Sequence, residues 1–335
     1  MTSKISNNPP PEDRVAAASP AQVRGRLALL MSIIAGAMIV FAGNYVFFVR
    51  TTIGQELDNA ALNGAEYELQ GVITEAWNLL DVISVASLAA ACLGIGLIAL
   101  LRRHVAVACA ALMTIAVANV ATQVLKRVLL ERPDLIGASA LNSLPSGHAT
   151  VAATVSVGLV MVTAPRWRSV MALVSVAFPI AVAVAVVTAS WHRPSDSVAA
   201  FCVVLVVAAA SLAIVFAIFG FDAAARPPRW FRRSVLILVG LAIAFLASSS
   251  VVGLWTIRNR QTDDLSRQEW ESVAYASSTA GITAGALAMM LCLVLALRGI
   301  DVGHGGWKRT SDVATIPTTS TEQSNAPEGS PATRS

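Results

Sequence analysis

Residues 177–219, AFPIAVAVAVVTASWHRPSDSVAAFCVVLVVAAASLAIVFAIF, hold two long apolar runs separated by one polar break, Ser190-Trp191-His192-Arg193-Pro194-Ser195-Asp196. A bilayer core about 30 Å thick asks for roughly 20 apolar residues in a helix, so the stretch reads as the ends of two membrane spans meeting at one face. Working outward, six more apolar runs appear. The eight expected spans are 27–49, 79–101, 105–125, 148–164, 169–190, 197–219, 234–256 and 276–297, the fourth being the shortest. The fold expected is an all-α polytopic membrane bundle. Trp77, Trp167, Trp191, Trp230 and Trp255 all fall at span ends, where an indole finds both apolar and hydrated surroundings.

Composition agrees. Only 13% of the 335 residues are charged and 56% are hydrophobic, against about 25% charged in soluble domains. Mean hydropathy is +0.67. A soluble enzyme, a secreted toxin and a disordered scaffold are excluded. The net charge of +4 forms no contiguous basic stripe, so nucleic acid is not an expected partner. Sixteen of the 24 Lys and Arg fall in 1–26, 102–104, 165–168, 220–233 and 298–335, which puts both termini in the cytoplasm by the positive-inside rule. Cys92, Cys109, Cys202 and Cys292 sit in apolar runs and read as small buried hydrophobes rather than a disulfide framework. The first span is too long for a cleaved signal peptide and has no small-residue cleavage site after it.

Four segments follow: a disordered cytoplasmic 1–26, a six-span core over 27–219, two additional spans within 220–298, and a disordered Ser/Thr/Pro-rich tail over 299–335. Residues 50–78, with Glu56, Asp58, Glu66, Glu68 and Glu75 interleaved among Leu57, Leu62, Leu69 and Val72, read as a solvated cap rather than a substrate contact. The mixed charges of 257–275 read as solvated surface, and Pro179 as a kink in the fifth span. Gly281 and Gly285 have the G-x-x-x-G spacing of a helix-packing face, the one hint of a homodimer, against a chance match.

The chemistry gathers at the outer face. Loop 126–147 begins with Lys126, Arg127 and Arg132, against the positive-inside pattern, and closes with Leu144-Pro145-Ser146-Gly147-His148. A helix start offers unpaired amides and the positive end of its dipole, so Ser146, Gly147 and His148 suit a phosphate. Read alone, the same residues are an ordinary N-cap. His192 precedes Asp196 by four, a spacing that brings a carboxylate to one imidazole nitrogen and leaves the other free to attack. Read alone, they are an interfacial histidine and a helix-start acid. His104 and His304 lie on the other side and read as solvated.

Together Lys126 to Arg132-Pro133, Pro145-Ser146-Gly147-His148 and His192 with Asp196 resemble the three-part signature of the type 2 phosphatidic acid phosphatase superfamily, integral-membrane lipid phosphatases related to vanadium haloperoxidases. The resemblance implies a six-helix core in which Lys126, Arg132, Ser146 and the Gly147 amide bind a phosphoryl group. His192 would attack phosphorus, Asp196 would orient it and His148 would protonate the leaving oxygen. It also implies a phosphohistidine intermediate and no metal or other cofactor. Two positions depart from the family pattern. Lys126 stands six before Arg132 where seven is usual, and Val186 occupies the place of a third-motif arginine, six before His192. Arg193 or Arg127 is expected to supply that charge.

The expectation is a lipid phosphatase in the cell membrane, with an extracytoplasmic site acting on phosphatidic acid, phosphatidylglycerol phosphate or a polyprenyl pyrophosphate of wall synthesis. Its partners are the lipid phosphate and the surrounding membrane lipids. A phosphotransferase using the same intermediate and a silent lipid-phosphate-binding protein are the alternatives. A transporter is disfavoured, because no ionisable residue stands at mid-span.

Overall fold

The computed structural model describes residues 18–68, 73–102, 105–137, 141–223, 228–259 and 266–301. The end segments expected to lack a core fall largely outside these, as do His104, His304 and residues 260–265 between the last two expected spans. The described chain is a helix bundle: α1 (Pro20–Arg50), α2 (Thr52–Glu68), α3 (Ile73–Asp81), α4 (Val85–Leu101), α5 (Val105–Val124), α6 (Gly147–Val162), α7 (Arg168–Ser175), α8 (Ala177–Thr188), α9 (Pro194–Phe219), α10 (Arg229–Asn259) and α11 (Arg267–Ala296). A π turn, Leu125–Leu129, prolongs α5. A two-residue antiparallel ribbon pairs Asp222–Ala223 with Ile300–Asp301.

Among the described residues, six helical stretches are long and apolar enough to cross a membrane: α1, α5 with its π turn, α7 with α8, α9, α10 and α11. The expected second span is divided instead. α3 and α4 meet at 58° around residues 82–84, where Ser84 and Ser87 cap α4 reciprocally and set a new helix start. The expected fourth span is α6, 16 residues long.

Burial separates the helices. In the most apolar windows of α9 and α11 56% of residues are buried, against 6% in α10, so α9 is the central post and α10 an outer stave. Small residues let the helices approach. A Cβ on Gly158 of α6 would meet Ile95 Cδ1 at 2.9 Å, with Ala111 of α5 beside it. Gly281 faces Ser249 of α10 and Gly285 faces Phe201 of α9, so both glycines of the G-x-x-x-G spacing are used inside the chain. The cysteines are free, but only Cys202 is buried; Cys92 and Cys292 are partly exposed and Cys109 is exposed, because a lipid-facing position is as apolar as a core one.

Pro179 lies just past the break between α7 and α8. Its missing N–H frees the Ser175 carbonyl, and Ser156 Oγ of α6 donates to that oxygen at 3.0 Å. At the bundle end remote from the sequence motifs, the buried Arg168 donates to Thr163 O, Leu297 O and Ile300 O, and Arg26 donates to Leu295 O and Arg298 O. The chain entering α1 and the chain leaving α11 are thereby tied together there.

Candidate active site

α8 ends in a left-handed turn. Ser190 has φ 57°, its N–H donates to Val187 O, and Trp191 N–H donates to Val186 O, the paired bonds of a Schellman cap formed without glycine. His192 N–H also donates to Val186 O, at 3.1 Å. Position 186, where the resemblance asks for an arginine, therefore serves the motif through its carbonyl. Its side chain packs among Ala76, Leu80, Ala152 and Val182.

Pro194 then opens α9. Asp196, at the third helical position, reaches back so that Oδ2 accepts from Arg193 N–H at 3.0 Å and from His192 Nδ1, also at 3.0 Å. Asp196 is fully buried and His192 is 7% exposed. A carboxylate on Nδ1 fixes the tautomer with the proton on that nitrogen, so Nε2 keeps its lone pair. The expected pairing of His192 with Asp196 is present, and the helix start makes it.

The second motif sits against the first. Ser146 N–H donates to Asp196 O at 3.0 Å, and Ser146 Oγ accepts from Ala149 N–H as the cap of α6. The half-buried His148 ring stands 5.4 Å from the Trp191 ring and close enough to His192 and Lys126 for their charges to interact. A Cβ built on Gly147 meets nothing nearer than Gln123 Nε2 at 3.5 Å. The fold thus has room for an alanine there. A ligand drawn to the α6 amides would lose that room. Gly147→Ala is accordingly expected to leave the thermal transition within about 3 °C of wild type. It should weaken inhibition by inorganic phosphate about tenfold, read from product-inhibition assays.

The first motif is fastened by other side chains. Lys126 lies in the widened turn after α5, which Leu130 N–H closes on Leu125 O, and its charge acts on Asp196. Asn142 Nδ2 donates to Lys126 O, Leu130 O and Leu144 O. Gln55 Nε2 donates to Pro133 O and Tyr45 OH to Glu131 O, which hold the chain around Arg132. Arg132 is 6% exposed, and burial pulls its guanidinium below the ordinary arginine value.

Arg193 is equally buried and near enough to Arg132 for the two to repel. Arg193 Nε is buried with no hydrogen-bond partner among the described residues, and Arg132 Nη1, also buried, makes no hydrogen bond there and only a long ion pair, 3.7 Å to Asp58 Oδ2. Two crowded cations whose buried donors make no hydrogen bond form a site for an anion. Of the two candidates to replace the missing arginine, Arg193 is at the site and Arg127 is exposed.

All eight residues singled out by sequence, His192, His148, Asp196, Lys126, Arg132, Ser146, Gly147 and Arg193, thus lie around one end of α5, α6, α8 and α9. One was missed. Asp58 of α2, read as part of a solvated cap, is 1% exposed and 3.7 Å from Arg132. Its signal was the small-residue spacing of its buried neighbours, Gly54, Ala61 and Ala65.

Residues 107–220, which hold all three motifs, match the PAP2 superfamily, the family those motifs resemble. No curated protein and no solved structure matches the chain.

Proposed function

With residues 107–220 a PAP2 superfamily segment, which points to phosphatase activity, we propose that this membrane protein hydrolyses a lipid monophosphate or pyrophosphate through a phosphohistidine, without a metal. The observation that carries the reading is His192, held by Asp196 through Nδ1 at 3.0 Å beside two buried arginines, of which Arg193 has its Nε without a hydrogen bond.

Nε2 of His192 attacks phosphorus in line with the ester oxygen. The N–P bond forms, the P–O bond breaks, and His148 gives its proton to the departing oxygen. Water then attacks the phosphohistidine, His148 takes up its proton, and inorganic phosphate leaves with His192 restored. Lys126, Arg132, Arg193 and the α6 amides stabilise the charge spread over the transferring oxygens. Fixed cations do here what magnesium does elsewhere.

The site lies at one end of the bundle, where a substrate can keep its chain in the bilayer and present its headgroup. The proposed face is extracytoplasmic, with both termini inside. The proposed unit of chemistry is the six-span portion 27–219, and phosphatidic acid, phosphatidylglycerol phosphate and polyprenyl pyrophosphate are the proposed substrates.

Detergent-purified protein is expected to release phosphate from at least one of these three lipids in the presence of EDTA. Turnover that vanishes with EDTA and returns with magnesium would overturn the metal-free route. No release from any of them, with phosphoryl transfer to an added alcohol instead, would favour the phosphotransferase.

A further inference from the structure

α2 owes its place to backbone contacts that only glycine permits. A Cβ on Gly54 would lie 1.9 Å from Phe47 O, and one on Gly64 would lie 2.1 Å from Glu271 O. The helix is therefore pressed against α1 at its start and against α11 further along. Thr51 Oγ1 accepts from Gly54 N–H and sets the turn between α1 and α2. Asn63 Nδ2 donates to Glu271 Oε1 at 3.0 Å, and Ala60, Ala61 and Ala274 pack together. α10 joins in from behind, its Thr256 O accepting from Trp270 Nε1.

Docked this way, α2 turns one carboxylate inward. Asp58 Oδ1 accepts from Ser195 N–H at 3.1 Å, and Oδ2 accepts from Ser195 Oγ at 2.5 Å and pairs with Arg132 at 3.7 Å. The Ser195 amide is one of the unpaired donors that open α9, so an acid from a different helix caps the element that carries Asp196.

We propose that Asp58 is a positioning residue for the anion site, fixing Arg132 and the start of α9, and that α11, with α10 behind it, holds α2 so that it can. The last two spans, which carry no motif of their own, thereby act on the chemistry through one carboxylate. The inference rests on the phosphatase reading only for the identity of the anion.

Electrostatics makes a purely structural role a poor explanation. Burial, then the nearby Asp196 charge, push the Asp58 carboxyl up to about 6, although the bonds from Ser195 and the charge of Arg132 pull it down. A folded-state value above the unfolded one means that stability falls as pH rises through that window. At neutral pH the ionised Asp58 costs the fold stability, and an asparagine would not.

The test uses the full chain in detergent at pH 7.5. Binding of inorganic phosphate is measured by calorimetry, phosphate release is measured from phosphatidic acid, phosphatidylglycerol phosphate and polyprenyl pyrophosphate, and the thermal transition is recorded. Asp58→Asn should weaken phosphate binding about fivefold or more and lower kcat about tenfold or more, with a thermal transition no lower than wild type. Removing a negative charge would by itself tighten anion binding, so weakening separates positioning from simple electrostatics. Asp58→Glu should recover part of both losses.

Gly64→Leu, which forces α2 off α11 without touching the motifs, should weaken phosphate binding in the same direction. Phosphate binding that is equal or tighter in Asp58→Asn overturns the role of Asp58. If wild type binds phosphate but releases none from any lipid, the hydrolase reading fails and the binding comparison alone decides Asp58. If wild type binds no phosphate, both fall. Should Asp58→Asn not fold, the role is decided on Asp58→Glu, where unchanged phosphate binding and kcat would overturn it.

Discussion

Replacing His192 with alanine is expected to lower phosphate release from the preferred lipid by about 10⁴-fold or more, the scale seen when the attacking group of a cooperating set is removed. The imidazole makes one side-chain bond, to Asp196, and the backbone around it is held by Val186 O and the Schellman turn. The fold should therefore survive, because Asp196 Oδ2 keeps the Arg193 N–H as a partner. A thermal transition close to that of wild type, with no phosphohistidine trapped by a rapid alkaline quench that traps it in wild type, would complete the result. Turnover within about tenfold of wild type would remove His192 from the nucleophile's role. Asp196→Asn should cost less, since it leaves the nucleophile in place but no longer fixes its tautomer.

The second large effect is expected at Arg193. With Val186 packed into an apolar cluster, the charge that the family pattern places there must come from elsewhere, and Arg193 is buried beside Arg132 with Nε unpartnered. Arg193→Ala should lower kcat by about 10²- to 10³-fold, the loss typical of one donor to a developing oxyanion. Arg193→Lys should recover only part, because an ammonium cannot reproduce the planar fork. The main-chain N–H that holds Asp196 is retained in both variants, so the loss reads the guanidinium alone. Arg127→Ala is the matched control and should change kcat by less than about threefold, as a solvated surface cation would. A small effect at Arg193 with a large one at Arg127 would reverse the assignment.

Much of this was legible in the sequence because its signals are local. An apolar run long enough to span, a proline after His192 and an acid four residues on are each visible within a few positions. α10 and α11 are both apolar enough to span, with mean hydropathies of 2.6 and 2.1, yet they differ nine-fold in the share of residues buried. Lipid and protein interior are equally apolar, so hydropathy counts spans without saying which are central. The divided second span was hidden for a related reason, since Val82 and Ile83 continue the apolar run across the turn that Ser84 caps.

Asp58 escaped for the opposite reason. The buried face of α2 is built from Gly54, Gln55, Asp58, Ala61 and Ala65, whose small and polar side chains give no hydrophobic stripe. Its burial comes from close backbone approach: the spacing of Gly54, Ala61 and Ala65 marks the face, and the partner helices show what covers it. The expected solvated cap was a fair reading of the helix taken by itself, and a poor one of the helix against α11.

The freed carbonyl of Ser175 has an implication for how the sequence can change. Proline at 179 removes one donor and Ser156, on a different helix, supplies another, so the two positions are coupled through one carbonyl. A lineage that regained an N–H at 179 would make the serine redundant. One that lost the serine first would carry an unpaired carbonyl in the bilayer. Changes at these two sites that never leave the Ser175 carbonyl unpaired therefore replace the proline before the serine.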